Sequence, residues 1–174
     1  MAPPLQSRDR SLAVRTATVA DAATIGEVYL RSWLAGYDGL VAADRLRPVA
    51  ELRAAHDWAA ALAEPDSWFG LGSVDGVAAG VAKVGPDPTE DVTGTWLELL
   101  YVAPEFWGSG LAAALLHRSV DVARASGADR MRLRVVEAQE RARRFYEREG
   151  WRPDPDIPPS SNAFFPLLCL RIDL

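Results

Sequence analysis

The chain has 174 residues, 49% apolar and 25% charged, an ordinary globular balance that fits one domain with a substantial core. Its net charge of −5 argues against a nucleic-acid partner and suits a cationic substrate. One cysteine, Cys169, excludes an intramolecular disulfide and a cysteine-built metal cluster, and no apolar run approaches the ~20 residues of a membrane span.

The N-terminal MAPPLQSRDR is polar and has no hydrophobic signal region behind it. Residues 1–11 therefore read as a flexible tail and 12–174 as one domain, with a cytoplasmic location the simplest expectation. Leu12 to Arg15 reads as a short strand. Thr18 or Asp21 can cap a helix carrying Ile25, Val28 and Tyr29, running to about Leu34 and loosening at Gly36 and Gly39. A second helix is expected just after Arg47-Pro48, carrying Val49, Leu52, a half-buried His56, Ala59 and Leu62.

From there the period changes. Trp68–Gly72 and Val77–Val84 read as strands joined across Asp75-Gly76, a hairpin turn signal. Thr95–Val102 reads as a long, mostly buried strand, and Gly108-Ser109-Gly110 opens a helix from about Leu111 to Ser126, stopped by Gly127. Met131–Val135 alternates as a strand, Glu140–Glu149 is a short helix closed by Gly150, and Phe164–Ile172 is the last strand. The order β-α-α-β-β-β-α-β-α-β-β predicts an α/β fold: a mixed, mostly antiparallel sheet of about seven strands flanked by about four helices.

Glycines between a strong strand and a strong helix let backbone approach a ligand, and the unpaired first N–H groups of the helix suit a pyrophosphate. Gly108-x-Gly110-x-x-Ala113 also matches a dinucleotide fingerprint. Pro104 to Trp107 intervenes between strand and glycines, however, and a hairpin meander precedes them, which argues against that fold.

The stretch Leu99-Leu100-Tyr101-Val102-Ala103-Pro104-Glu105-Phe106-Trp107-Gly108-Ser109-Gly110-Leu111-Ala112 resembles the coenzyme-A motif of the GNAT acetyltransferase superfamily. Downstream, Gln139-Glu140-Arg141-Ala142-Arg143-Arg144-Phe145-Tyr146-Glu147-Arg148-Glu149-Gly150-Trp151 is similar to its second signature. Trp107 stands where Gln or Arg is usual, and Gln139 where Asn is usual. The resemblance implies a GNAT-like sheet and acetyl-CoA as co-substrate. Trp107, Gly108, Ser109, Gly110, Leu111 and Ala112 would hold the pyrophosphate. The backbone of Leu100, Tyr101 and Val102 would take the pantetheine arm where the strand splays from its parallel neighbour, and Gln139 would reach the cofactor. A backbone N–H near Leu100 would polarise the thioester carbonyl.

Under that resemblance Tyr146 is the acid that protonates the departing thiolate, a phenol of pKa ~10 suiting the task; a core aromatic is the other reading. Glu98, placed by strand alternation beside Leu100 and Val102, is the candidate to take the amine's proton, or else a structural ion pair with an arginine. Trp33 and Tyr37, with Asp38, resemble a segment lining the acceptor pocket, and core packing explains them nearly as well. The loop from Arg152 to Asn162 either covers the acceptor site or simply connects a hairpin. Arg130, Arg132 and Arg134 alternate on a strand and read as a solvated face with ion pairs; one of Arg141, Arg143 and Arg144 can meet a coenzyme-A phosphate. Two histidines, with His117 solvent-facing, make a metal site unexpected.

The expected function is acetyl transfer from acetyl-CoA to a primary amine of a small molecule or peptide, with no nucleic-acid or membrane partner; a homodimer is common among look-alikes. The alternative is a non-catalytic acyl-CoA sensor. Tyr146 and the intact glycines favour the enzyme, since a sensor needs no leaving-group acid.

Overall fold

The computed structural model of the chain describes residues 10–88, 94–162 and 164–174, so most of the expected tail and part of the loop after Pro86 lie outside the described residues. The strands are β1 (Leu12–Thr16), β2 (Trp68–Val74), β3 (Val77–Pro86), β4 (Gly94–Val102), β5 (Arg130–Val136), β6 (Arg152–Pro153), β7 (Ser160–Ser161) and β8 (Pro166–Asp173). They form one sheet in the order β1-β2-β3-β4-β5-β8-β6, with β7 beside β8. Every pairing is antiparallel except β4 with β5. Helices α1 (Ala22–Tyr37), α2 (Ala43–Ala54), α3 (Trp58–Leu62), α4 (Leu111–Ala125) and α5 (Glu140–Arg148) flank it. The mixed α/β architecture is as expected.

Local chemistry explains the joins. Asp75 and Gly76 have φ of 51° and 81°, the conformation a two-residue hairpin turn needs. Ser11 and Asp75 exchange hydrogen bonds of 2.8 and 2.9 Å, so the chain is already anchored at Ser11. On one side of the sheet, α1 buries a single helical stripe, of which Ile25, Val28, Tyr29 and Trp33 cluster with Phe69, Leu71 and Val81. On the other, Leu111, Leu115, Leu116 and Val120 of α4 pack with Val84, Leu97, Met131 and Leu133. The approach of α4 depends on Gly80, where a Cβ would lie 2.7 Å from Leu115 Cδ1.

Three local expectations change. Helix α1 continues past Leu34 and through Gly36 to Tyr37, because the Gly36 carbonyl accepts a hydrogen bond from Gln139 Nε2 at 3.0 Å, a tertiary contact that offsets glycine's helix cost. The single helix expected after Pro48 is two. Helix α2 begins at Ala43 with Pro48 inside it, and Asp57 starts α3 by accepting the Ala60 N–H at 2.9 Å. That break leaves Leu52 exposed and His56 outside any helix, exposed and edge-on to Trp58.

The arginines of β5 are also not one solvated face. The Arg132 side chain is 3% exposed and lies between the fully buried carboxylates of Asp87 and Asp154, each at 2.6 Å. Arg171 approaches Asp154 at 3.7 Å. This network ties the end of β3 to β5 and to the segment after β6. Desolvation works to raise the Asp154 pKa, but hydrogen bonding to Arg132 outweighs it and the group lies below the usual carboxylate range.

A folded-state pKa below the unfolded one stabilises at pH above about 3.9 and loses that contribution as pH falls through the lowered value. Arg132→Met leaves two buried carboxylates without their guanidinium and should cost about 3–5 kcal/mol, read from denaturant midpoints at neutral pH. Because removing a cation from beside buried carboxylates raises their pKa values, the deficit should shrink as pH is lowered from about 8 to about 5. A pH-independent deficit would count against a charge origin.

Candidate active site

Strands β4 and β5 pair only from Gly94 opposite Arg130 to Leu97 opposite Leu133, and then run on apart to Val102 and Val136. The cause is on the other edge of β4. Pairing with β3 steps from Val84 opposite Leu97 to Lys83 opposite Leu99, so Glu98 has no partner and forms a bulge that turns the strand.

The bulge also inverts the alternation. Leu97 and Leu100 both join the α4 cluster, whereas Leu99 and Tyr101 join the α1 cluster. Glu98 therefore does not share a face with Leu100 and Val102, as simple alternation predicts. Its carboxylate lies 2.9 Å from Lys83 Nζ, which is also 2.9 Å from Glu64 Oε2. The ion pair is thus with the lone lysine and not with an arginine. Burial works to lower the Lys83 pKa, but Glu64 and Glu98 outweigh it and the ammonium stays charged.

The gap between the strands holds a cavity of about 240 Å³. Glu98, Leu100 and Tyr101 line it from β4, Ala142 and Tyr146 from α5, and Trp33 and Tyr37 from α1, so both candidate catalytic side chains and both acceptor-side aromatics meet there. Trp33 stacks on Tyr37 with centroids 4.3 Å apart, and Tyr37 sits 5.3 Å from Phe165. Tyr146 is 8% exposed, with Phe145 and Trp151 at 5.2 and 5.9 Å, and burial pushes its phenol well above the ordinary value. Burial likewise raises Tyr101, whose ring meets that of Tyr29 edge-on at 4.9 Å. Gln139, expected at the cofactor, lines the cavity and donates from Nε2 to the Gly36 carbonyl at 3.0 Å.

Beside the gap, the turn into α4 has the form an anion needs. Gly108 and Gly110 have φ of 80° and 90°, a region costly for any side-chain-bearing residue. Gly110 supplies no side-chain cap, while Ser109 Oγ accepts from Leu111 N at 3.3 Å and Ala114 N donates to Gly110 O at 3.1 Å. The amides of Ala112 and Ala113 have no intrahelical acceptor. The Leu111 side chain is fully buried in the core, so this residue offers only main chain. Trp107 is 39% exposed, its indole N–H donates to the Val102 carbonyl at 2.8 Å, and the Arg141 guanidinium lies 3.5 Å over its ring. Arg143 instead bonds the Glu137 carbonyl and Arg144 pairs with Glu140. Of the three helix arginines, Arg141 is the one at the glycine turn.

Arg53 and Phe165 line the cavity without any sequence signal, and nothing in the sequence assigned Arg134 to it. Arg53 of α2, Arg134 of β5, and Asn162 and Phe165 near β8 reach the cavity from separate parts of the chain, and only folding brings them together. Asn162 ends the proline-rich loop, so that loop contributes to the cavity wall. Cys169 is buried, and burial pushes its thiol up to about 11, which leaves it unsuited to nucleophilic chemistry at neutral pH. Among the described residues no helix is long and apolar enough to cross a membrane.

Similarity to known proteins agrees with this geometry. Residues 28–151 match the sequence model of the acetyltransferase (GNAT) family. The chain is 37% identical over 95 residues to a mycothiol acetyltransferase of Beutenbergia cavernae, a match covering 52% of the chain and 32% of that protein. It is also 37% identical over 78 residues to an uncharacterized N-acetyltransferase of Mycobacterium tuberculosis, covering 45% of the chain and 48% of that protein. The matches thus span a third to a half of these relatives' lengths. The fold resembles that of the PaiA N-acetyltransferase of Thermoplasma acidophilum, solved with coenzyme A, at a TM-score of 0.77 and 16% identity, covering 94% of this chain and 99% of that one. The chain belongs to the acetyltransferase (GNAT) family.

Proposed function

We propose that the chain is an N-acetyltransferase that moves the acetyl group of acetyl-coenzyme A to a primary amine by direct attack in the gap between β4 and β5. One observation carries the reading: a single cavity joins an open strand edge, a buried phenol and a carboxylate, beside a helix whose N-cap residue is a glycine.

The residues present fit the co-substrate. The amides of Ala112 and Ala113 and the Arg141 guanidinium suit a diphosphate, Arg141 meeting no carboxylate among the described residues. The edge of Leu100 to Val102, unpaired on the side of β5, suits the amides of a pantetheine arm. Trp107 occupies one lone pair of the Val102 carbonyl and leaves the second. When bound, acetyl-CoA supplies an activated acetyl thioester and a thiol leaving group.

The chain's own residues then have distinct tasks. Tyr146 is fully protonated at neutral pH because burial disfavours its anion, so it acts as a donor to charge developing on sulfur and not as a base. Glu98, held by Lys83 at the cavity wall, faces the incoming amine and accepts its proton directly or through water. Trp33 and Tyr37 supply a flat apolar wall for the acceptor.

Tyr146→Phe should lower kcat by about 10²–10⁴ while acetyl-CoA affinity, measured by calorimetry, stays close to wild type. An unchanged kcat would remove Tyr146 from the chemistry. Gly110→Glu should abolish coenzyme binding, and Gly110→Ala, which adds the same φ strain without the charge, should weaken it less; equal losses would make the effect conformational. Since burial raises Tyr37, Tyr101 and Tyr146, ultraviolet titration of the native protein at about pH 10, where unfolded tyrosine is half ionised, should show less tyrosinate absorbance than the unfolded chain. Unfolding at that pH should release the missing absorbance.

A further inference from the structure

We infer that the acceptor is a small primary amine that also carries an anionic group, a carboxylate or a phosphate. The inference rests on the transferase reading above and names the substrate class of the same cavity. It starts from the charges on the cavity wall, which holds two guanidiniums, Arg53 and Arg134, and one carboxylate, Glu98. Glu98 shares Lys83, at 2.9 Å, with Glu64, so the two guanidiniums outnumber the one carboxylate on the wall. The cavity therefore presents positive charge, although the chain as a whole is at −5.

How the two arginines are held matters more than their number. Arg53 lies over the Trp33 ring at 5.6 Å and Arg134 over the Trp96 ring at 5.3 Å. A cation–π contact of this kind restrains a guanidinium against the ring face and takes up none of its N–H donors. Neither arginine is ion-paired with a carboxylate among the described residues. Arg132, one alternation away on β5, shows the opposite state, its donors taken up by Asp87 and Asp154. Arg132 is neutralised where it stands; Arg53 and Arg134 lie at the cavity wall with no such carboxylate among the described residues.

A plain alkylammonium entering the cavity meets two like charges and a carboxylate that is already paired. An amine bearing a carboxylate or phosphate brings an acceptor for the paired N–H groups that arginine presents, and its net charge no longer opposes entry. The Trp33–Tyr37 stack, continued by Phe165, offers a flat apolar surface for the part of the molecule between amine and acid. A cavity of about 240 Å³ suits a small molecule.

The test compares matched amines with the full chain and saturating acetyl-CoA, following thiol release: 4-aminobutyrate against 4-aminobutyramide, phenylalanine against phenylalaninamide, and 2-aminoethyl phosphate against ethanolamine. The acid of at least one pair should exceed its neutral partner by about tenfold or more in kcat/KM, mainly through KM, and the advantage should shrink with added salt. The carboxylate and phosphate arms separate the two sources of charge. Arg53→Gln and Arg134→Gln should each bring the acid-to-neutral ratio toward one. Neutral partners turned over equally well or better, a ratio unmoved in both variants, or acetylation of peptides in preference to every small amine would overturn the inference. Binding of the same pairs to the coenzyme A complex, by calorimetry, reads the preference without turnover. Tighter binding of the acids without thiol release would support the anionic ligand while removing the transferase reading; equal or weaker binding would overturn the inference.

Discussion

Much of this structure follows from one unpaired residue. Strand β4 has to serve β3 along one edge and β5 along the other, and it can do both only as far as Leu97. At Glu98 the extra residue adds local twist, and the two parallel strands diverge while each keeps its outer neighbour. A sheet interior is normally closed because every strand edge is satisfied; here an edge is left open inside the molecule, where hydrogen-bonding capacity without a protein partner is costly unless a ligand or water meets it. The same residue contributes a carboxylate at the opening, so the irregularity that makes the cavity also furnishes it.

The bulge explains which parts of the site could be read from sequence. The glycine turn and the helix it opens are local, and their signals lie within a few residues, so Gly108, Gly110 and the start of α4 were legible. So were the topology and the presence of Tyr146 in the cavity, through two motifs in a fixed order. The orientation of Glu98 was not, because alternation assumes an uninterrupted pleat and the register shift depends on β3, which sequence spacing does not encode. Lys83 stood out as the only lysine, yet its bond to Glu98 appears only when β3 and β4 are side by side.

Other differences have the same origin. Pro48 suggests a helix start when only neighbours are considered, but α2 accommodates it and the true interruption is Asp57, whose side chain captures an amide that α2 would otherwise have continued past. Arg132 resembles Arg130 and Arg134 in sequence and differs from both in environment, since Asp87 and Asp154 arrive from distant loops to neutralise it. Alternating arginines on a strand say which face they share; they do not say what the opposite chain segments bring to that face.

The divergence of the strands has a further consequence for communication across the sheet. Elsewhere the strands partition the interior, with α1 to α3 on one side and α4 on the other, and the two hydrophobic compartments do not mix. At the opening the partition ends: Gln139, at the start of α5, bonds the last turn of α1 through the Gly36 carbonyl, a polar seam beside Tyr37 and Tyr101 on the cavity wall. Ligands held on the two sides would share this polar seam. Any influence that one exerts on the affinity of the other is then bound by linkage to be returned in equal measure.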